Sequence, residues 1–419
     1  VNLEECVRRG VEMSSAVEGA RLGIQEMQAR SAGARRSRLG SLELTGRYTR
    51  LSEVEPGTIE LQGGPTVELG GSEENALAFS LQARQPLFTG YKIKTGIAKA
   101  ESAVHSSREN YRKIVQSTRF QISQAFWDLV EATEVKQVME KSVERATALL
   151  EEVNSRANQG MATREDVLRV EMSLEQAKVQ QLESIHSQQL AELQLNLLLS
   201  FPESQKIVPE YDFSEAVDVP ERYSDDHYSD LLSTALQQRP ELQLNRLQQE
   251  LQSAELHKIS GKWWPSFSLF GQVDYANPNS RQFPPEDEFL LSWQVGVTGS
   301  VNLGSYALIG PEQTTAEKAL QQIRQQNESL IRTIALQIKR DVLNLEQARR
   351  QMDAAETILA QARENYRIVY DKYRSGVAVN SAVITAQEKL LEAQLGRSRA
   401  YIACRRSLSK LQFDLGSDR

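Results

Sequence analysis

Two hydrophobic rhythms alternate along this chain of 419 residues. The first is the three-and-four spacing of a narrow helical seam. No proline occurs between Gly90 and Asn158, where Tyr111, Val115, Ile122, Ala125, Leu129 and Ala132 are followed by Val143, Ala146, Leu150, Val153 and Ala157. Such steps predict one long helix with a coiled-coil seam, shifted in phase near Val135–Met139. At about 1.5 Å per residue it would reach roughly 100 Å, beyond any globular diameter. A return helix is expected over 163–200, with Glu165 and Asp166 in the first turn, where the helix dipole favours acids. The turn around Gly160 is too short for anything but an antiparallel hairpin. The same signals predict helices over 311–375 and 380–415 around a turn at Gly376, and shorter ones over 3–38 and 228–261.

The second rhythm is strict alternation. Leu42, Leu44 and Tyr48 interleave with Glu43, Thr45 and Arg47; Leu77, Phe79, Leu81 and Ala83 with Ala78, Ser80, Gln82 and Arg84. Phe267, Leu269, Val273 and Tyr275 interleave with Ser266, Ser268, Gln272 and Asp274. Phe289, Leu291, Trp293, Val295 and Val297 do so with Leu290, Ser292, Gln294, Gly296 and Thr298. Four strands with one apolar and one polar face follow. Such a face suits a half-buried sheet packed on helices. Two features favour an apolar face turned to lipid instead. The helices that follow are narrow-seamed rods offering no broad apolar cover, and strands of about ten residues with apolar-out, polar-in alternation match a membrane barrel. The loops 53–72 and 278–286 are polar or rich in Gly and Pro, as aqueous loops should be. Four strands alone would leave open edges in lipid, so the barrel is expected to be shared among chains. Arg47, Gln82, Arg84, Gln272, Asp274 and Gln294 then line its lumen.

The chain also repeats itself. Arg156-Ala157-Asn158-Gln159-Gly160-Met161 is answered by Lys372-Tyr373-Arg374-Ser375-Gly376-Val377, an offset of 216 residues. A similar offset relates the strands before each long helix. Internal symmetry on this scale implies a duplicated unit. The expected division is a first repeat 1–201, a connecting segment 202–227 laid across the helices, and a second repeat 228–419.

Composition narrows the function classes. Aromatics are 6% and mean hydropathy is −0.47, the profile of long helices rather than of several globular domains. A net charge of −7 gives no general pull towards nucleic acid. No run approaches the 18 or so apolar residues of a membrane-spanning helix. The chain starts at Val1 without a charged-then-apolar leader, as if one had been removed or none existed. Cys6 and Cys404 are too few for a disulfide framework and read as two buried thiols, able to bridge only if the ends meet. His227 follows Asp225-Asp226 but lacks converging ligands, so a solvated acidic loop is expected rather than a metal site. With no nucleophile elbow, phosphate loop or paired Cys motif, no enzyme activity and no cofactor are expected. Trp263-Trp264 at a helix-to-strand junction reads as an interfacial anchor.

Gln85-Pro86-Leu87-Phe88-x-Gly90 leading into a helix, Gly160 with Asp166-Val167-Leu168, and the opening Leu3-Glu4-Glu5-x-Val7 resemble the outer-membrane efflux protein family. The resemblance covers essentially the whole chain, and its specificity lies in the duplicated strand–helix–turn–helix order rather than in any one motif. It implies a mainly α fold with a small β part: a homotrimer whose four strands per chain form a twelve-stranded outer-membrane barrel, continuing into a long periplasmic α-helical barrel. The family docks through its helical tips on a periplasmic adaptor fed by an inner-membrane pump, in drug efflux or type I secretion. Gly160, Met161, Gly376 and Val377 occupy the docking tips. Family members hold the periplasmic end closed by side-chain links, one between an Asp and a Tyr that fall on Asp166 and Tyr373 here. Asp166 also has a plainer reading as an ordinary helix-start acid. The family's other link positions carry Leu149, Tyr370 and Ala378, and its acidic entrance ring is replaced by Ala382 and Thr385, which puts cation selectivity by that ring in doubt. The competing class is a soluble or surface coiled-coil scaffold whose sheets bind a partner.

Overall fold

The computed structural model describes residues 1–419 apart from 53–56, 61, 62, 65, 70–72, 212, 214–216, 218, 283–285 and 417–419. The loops expected over 53–72 and 278–286, and the segment 202–227, therefore lie partly outside the described residues. The elements in order are α1 (Leu3–Met13), α2 (Ser15–Arg36), β1 (Ser41–Arg50), β2 (Gly57–Glu60), β3 (Thr66–Leu69), β4 (Asn75–Phe88), α3 (Lys92–Asn158) and α4 (Arg164–Leu199). After the connecting segment come α5 (Tyr228–Gln238), α6 (Pro240–Ser260), β5 (Ser266–Asn277), β6 (Leu290–Ser300), α7 (Tyr306–Arg374) and α8 (Asn380–Asp414).

The two short helices expected over 3–38 and 228–261 are each broken. Ser14 is extended between α1 and α2, and Arg239 is extended because Pro240 disfavours the helical region for its predecessor. Helix α7 starts five residues before the expected Pro311 and continues through it, although proline lacks the amide that would bond to Ala307. Asn2 caps α1 by accepting the Glu5 N–H at 2.8 Å.

The chain forms two compact units. The first comprises Val1–Gly23, Ser107–Asn245 and Gln326–Arg419. Its core draws Ile122, Phe126 and Leu129 from α3, Leu195 and Leu199 from α4, Ile334, Ile338 and Leu345 from α7 and Ile402 from α8, all essentially inaccessible. Cys6 and Cys404 are buried there as free thiols, and burial pushes Cys6 up to about 11. The connecting segment is pinned on this unit. Val208 accepts from the Val1 amino group at 2.9 Å, Tyr211 Oη donates to Glu134 at 2.6 Å, and Arg397 donates to the Phe213 carbonyl at 3.0 Å. The unit also buries charge. The Arg239 guanidinium lies 3.0 Å from Asp414 and donates to Gln337 at 2.7 Å, while Lys410 lies 2.8 Å from the other Asp414 oxygen. Asp341, 3% exposed, adjoins this pair. Burial, and then its hydrogen bond to Asp414, pushes Asp341 up to about 7. Burial also raises Asp414, but the Asp341 bond and the neighbouring Lys410 and Arg239 outweigh it and hold that carboxyl below the usual range.

The second unit comprises Ile24–Ser106 and Arg246–Gln325 and carries an antiparallel sheet of order β1-β4-β5-β6. Registers align whole rows across it. Leu44, Leu81, Val273 and Trp293 stand in one row, and Gly46, Phe79, Tyr275 and Leu291 in another. Three glycines lie under aromatic rings of the next strand: Gly46 under Phe79, Gly296 under Phe270 and Gly299 under Phe267, where an added Cβ would come within 3.0–3.4 Å of the ring. At the strand-to-helix elbow Gly90 adopts φ +60°, and a Cβ there would meet the Gly261 carbonyl oxygen at 2.6 Å. Only glycine accepts both the positive φ and that backbone contact.

Candidate functional site: an exposed apolar sheet face and a cross-linked hairpin tip

Alternation puts every second strand residue on one face, and here the apolar face is the open one. Leu42, Leu44, Phe79, Leu81, Leu269, Val273, Tyr275, Leu291, Trp293, Val295 and Val297 are all exposed, Val295 at 65%. A half-buried sheet in water would hide this row, since contiguous apolar patches of such extent mark a membrane or partner surface. On the opposite face stand Glu43, Arg47, Gln82, Arg84, Gln272, Asp274 and Gln294, as the alternation requires. At the loop end of the apolar face Tyr48 and Arg50 both donate to Asn75, at 2.9 and 3.0 Å. At the helix end Trp263 packs 4.9 Å from Tyr306, and both Trp263 and Trp264 are exposed. Aromatic and charged side chains thus flank the apolar band at both ends, as at membrane–water boundaries. Among the described residues no helix is long and apolar enough to cross a membrane.

The tip belongs to the first unit. Helix α3 is followed by Gly160 with φ +73° and α7 by Gly376 with φ +75°. In both copies the same pair of bonds closes the C-terminal turn. Gly160 donates to the Ala157 carbonyl at 2.9 Å and Met161 to Arg156 at 2.8 Å; Gly376 donates to Tyr373 at 3.0 Å and Val377 to Lys372 at 2.8 Å. This is the paired bond pattern of a glycine-terminated helix, which satisfies two of the carbonyls left open at each helix end. Neither glycine has a neighbour within 4 Å of where a Cβ would stand, and Met161 and Val377 are exposed at 67% and 77%.

Behind the turns, Leu149 and Val153 of α3, Val167 and Val170 of α4, Tyr373 of α7 and Val383 of α8 form one buried cluster. Asp166 and Tyr373 are both present at the tip, but no hydrogen bond joins them within the chain. The Asp166 carboxylate accepts from Thr163 N–H at 3.0 Å and Oγ1 at 2.7 Å, and Thr163 Oγ1 accepts the Asp166 N–H at 3.2 Å. That reciprocal capping box starts α4, and the Thr163 bonds hold the carboxyl below its ordinary range. The Tyr373 ring is buried beneath the Arg156 guanidinium, 4.2 Å from the ring centroid, and burial raises its phenol. Links that sequence reading missed join the two hairpins. Tyr370 Oη donates to Glu152 at 3.0 Å, and Arg156 donates to the other Glu152 oxygen at 2.9 Å and to the Arg374 carbonyl at 3.2 Å. Asn380 donates to the Asp166 carbonyl at 3.0 Å. Tyr370, a position at which the resemblance implied no link, is bonded to Glu152, three residues on from Leu149. The four-residue spacing of Glu152 and Arg156 was visible in sequence as a helix ion pair; their partners on α7 were not.

Comparison with known proteins bears on the fold and the family. A curated relative, the outer membrane efflux protein BepC of Brucella suis biovar 1 (strain 1330), is 30% identical over 93 residues, which is 22% of this chain and 20% of that protein. Among solved structures, the outer membrane protein VceC of Vibrio cholerae shares 15% identity with a TM-score of 0.81 over 99% of this chain and 96% of its own. The outer membrane channel CmeC of Campylobacter jejuni shares 14% identity with a TM-score of 0.78, over 99% of this chain and 85% of its own. At such identities these likenesses speak for the fold alone. The family model for outer membrane efflux proteins matches residues 11–200 and 231–417, so the chain, whose sheet turns its apolar face outward, belongs to the outer membrane efflux protein family.

Proposed function

We propose that this chain is the outer-membrane exit duct of a tripartite efflux system, acting as a homotrimer that closes three four-stranded sheets into one twelve-stranded barrel. The observation that carries it is the exposed apolar face of the sheet. An open four-stranded sheet leaves the edges of β1 and β6 unpaired, which lipid does not tolerate; copies of the same sheet satisfy both edges and enclose the polar face. Gly160, Met161, Gly376 and Val377 present the bare, exposed turns on which a periplasmic adaptor fed by an inner-membrane pump would dock. Asp166 and Tyr373 take part in the resting closure of the tip. In this chain the Glu152–Tyr370 and Arg156–Arg374 links share that role, because they tie α3 of one hairpin to α7 of the other near the tip.

The test is purification in detergent followed by planar-bilayer recording. A trimer of 47.2 kDa chains has a mass of about 142 kDa and conducts ions, and Arg156→Ala with Tyr370→Phe raises its conductance. A protein that stays soluble without detergent and conducts nothing would be a scaffold instead.

A further inference from the structure

The strands place four charged side chains on the polar face of the sheet, and their register sorts these into layers. From the helix end, Arg84 stands in the row Ser41–Arg84–Phe270–Gly296. The next polar row is Glu43–Gln82–Gln272–Gln294, and the one after it Thr45–Ser80–Asp274–Ser292. The last is Arg47–Ala78–Ala276–Leu290. Same-face residues are two apart along a strand, so neighbouring rows lie about 7 Å apart. The order is cation, anion, anion, cation. The middle rows are tied together: Gln294 donates to Gln272 at 3.0 Å and Gln272 to Asp274 at 2.8 Å. Arg281 fixes the Gln294 end by donating to the Trp293 carbonyl at 2.7 Å and to Gln294 Oε1 at 3.4 Å.

We infer that the barrel lumen is a layered charge filter, in which an acidic waist of Glu43 and Asp274 set among carboxamides lies between an Arg84 ring and an Arg47 ring that offset it. The inference rests on the duct proposed above, because each charged side chain becomes a threefold ring only when three sheets close around a lumen. Two carboxylates and two guanidiniums leave these four side chains without formal net charge, and Arg281, bonded to Gln294, adds one cation per chain at the waist. The wild-type duct therefore prefers small anions to small cations only weakly. The balance is local. The screening length is about 8–10 Å at 0.1–0.15 M salt, close to the row spacing, and charges on low-dielectric walls act strongly on passing ions. Removing either pair should expose the other.

The experiment is the reversal potential across a planar bilayer under a potassium chloride gradient, for wild type, Glu43→Gln with Asp274→Asn, and Arg47→Gln with Arg84→Gln. The acid-neutralised duct should prefer chloride and the arginine-neutralised duct potassium, each moving the permeability ratio by about threefold or more, in opposite directions. Wild-type ratios in both variants, or shifts of the same sign, would overturn the filter while leaving a working duct. Absence of conductance from all three proteins, and from the Arg156→Ala, Tyr370→Phe tip variant, would overturn the duct itself.

Discussion

The helical unit and the strand unit invert each other. In the first, Ile334, Ile338 and Val342 of α7 are inaccessible, and even Asp341 and Asp414 are drawn inside, Asp414 paired with Arg239 and Lys410. In the second, Leu42, Leu44, Leu291, Trp293 and Val295 each expose more than 60% of their surface, and Gln272 and Asp274 are the more sheltered side chains of their strand. Both units obey the same free-energy rule, that apolar surface leaves water. They obey it in different media. The inversion shows which part of the chain meets lipid more directly than any single motif does.

The largest effect should come from the buried acids. Asp341 ionises near 3.8 when unfolded and at about 7 when folded. Between those values the native state keeps a proton that the unfolded chain has released, so this contribution is full below the lower value and is lost as pH rises through 7. Asp341→Asn should leave stability unchanged near pH 4 and raise it above pH 7, read as thermal midpoints across pH in detergent. Asp414 acts with the opposite sign: its depressed value gives stability that disappears as pH falls through its folded value. A parallel pH profile for wild type and Asp341→Asn would show that the pair is not linked to folding.

The lipid face comes next. Val295→Arg should destabilise the folded channel by roughly 2–4 kcal/mol if it lies near the bilayer midplane, and Gln294→Arg far less. Comparable tolerance at both positions in reversible unfolding from lipid would erase the contrast between the two units. The tips offer a smaller, cleaner contrast, because their backbones match and their caps do not. Thr163 caps α4 through its side chain, whereas its counterpart Val379 makes no side-chain cap bond to α8. Thr163→Ala should cost about 1 kcal/mol, Val379→Ala next to nothing, and Val379→Ser should stabilise. Last, Tyr370→Phe should remove about 1 kcal/mol with its bond to Glu152, and a cycle with Glu152→Gln measures the coupling.

The strands and the glycine turns were legible because their signals are local. Alternation over ten residues fixes a face, and Gly160 and Gly376 announce a positive φ without reference to any distant partner. The breaks at Ser14 and before Pro240 were less legible, since the seam spacing continues across both. The rows of the sheet were not, because alternation names a face but not which residue of β5 lies opposite Gln82. Nor was the Glu152–Tyr370 link, whose partners lie 218 positions apart. Asp341 and Asp414 read as ordinary helix acids until α7 and α8 are placed side by side. Asp166 shows the converse: its local capping signal, Thr163 three residues ahead, describes its bonds in this chain better than the resemblance does.

The most direct test is accessibility along β6 in reconstituted bilayers. Single cysteines placed in turn from 290 to 298, spin-labelled while Cys6 and Cys404 remain buried, are probed with oxygen from the lipid and a nickel chelate from the water. Labels at 291, 293, 295 and 297 should respond to oxygen and those at 292, 294 and 296 to the chelate, a period of two along the strand. Uniform access to the chelate at all of these positions would contradict the account, because the apolar face would then be in water.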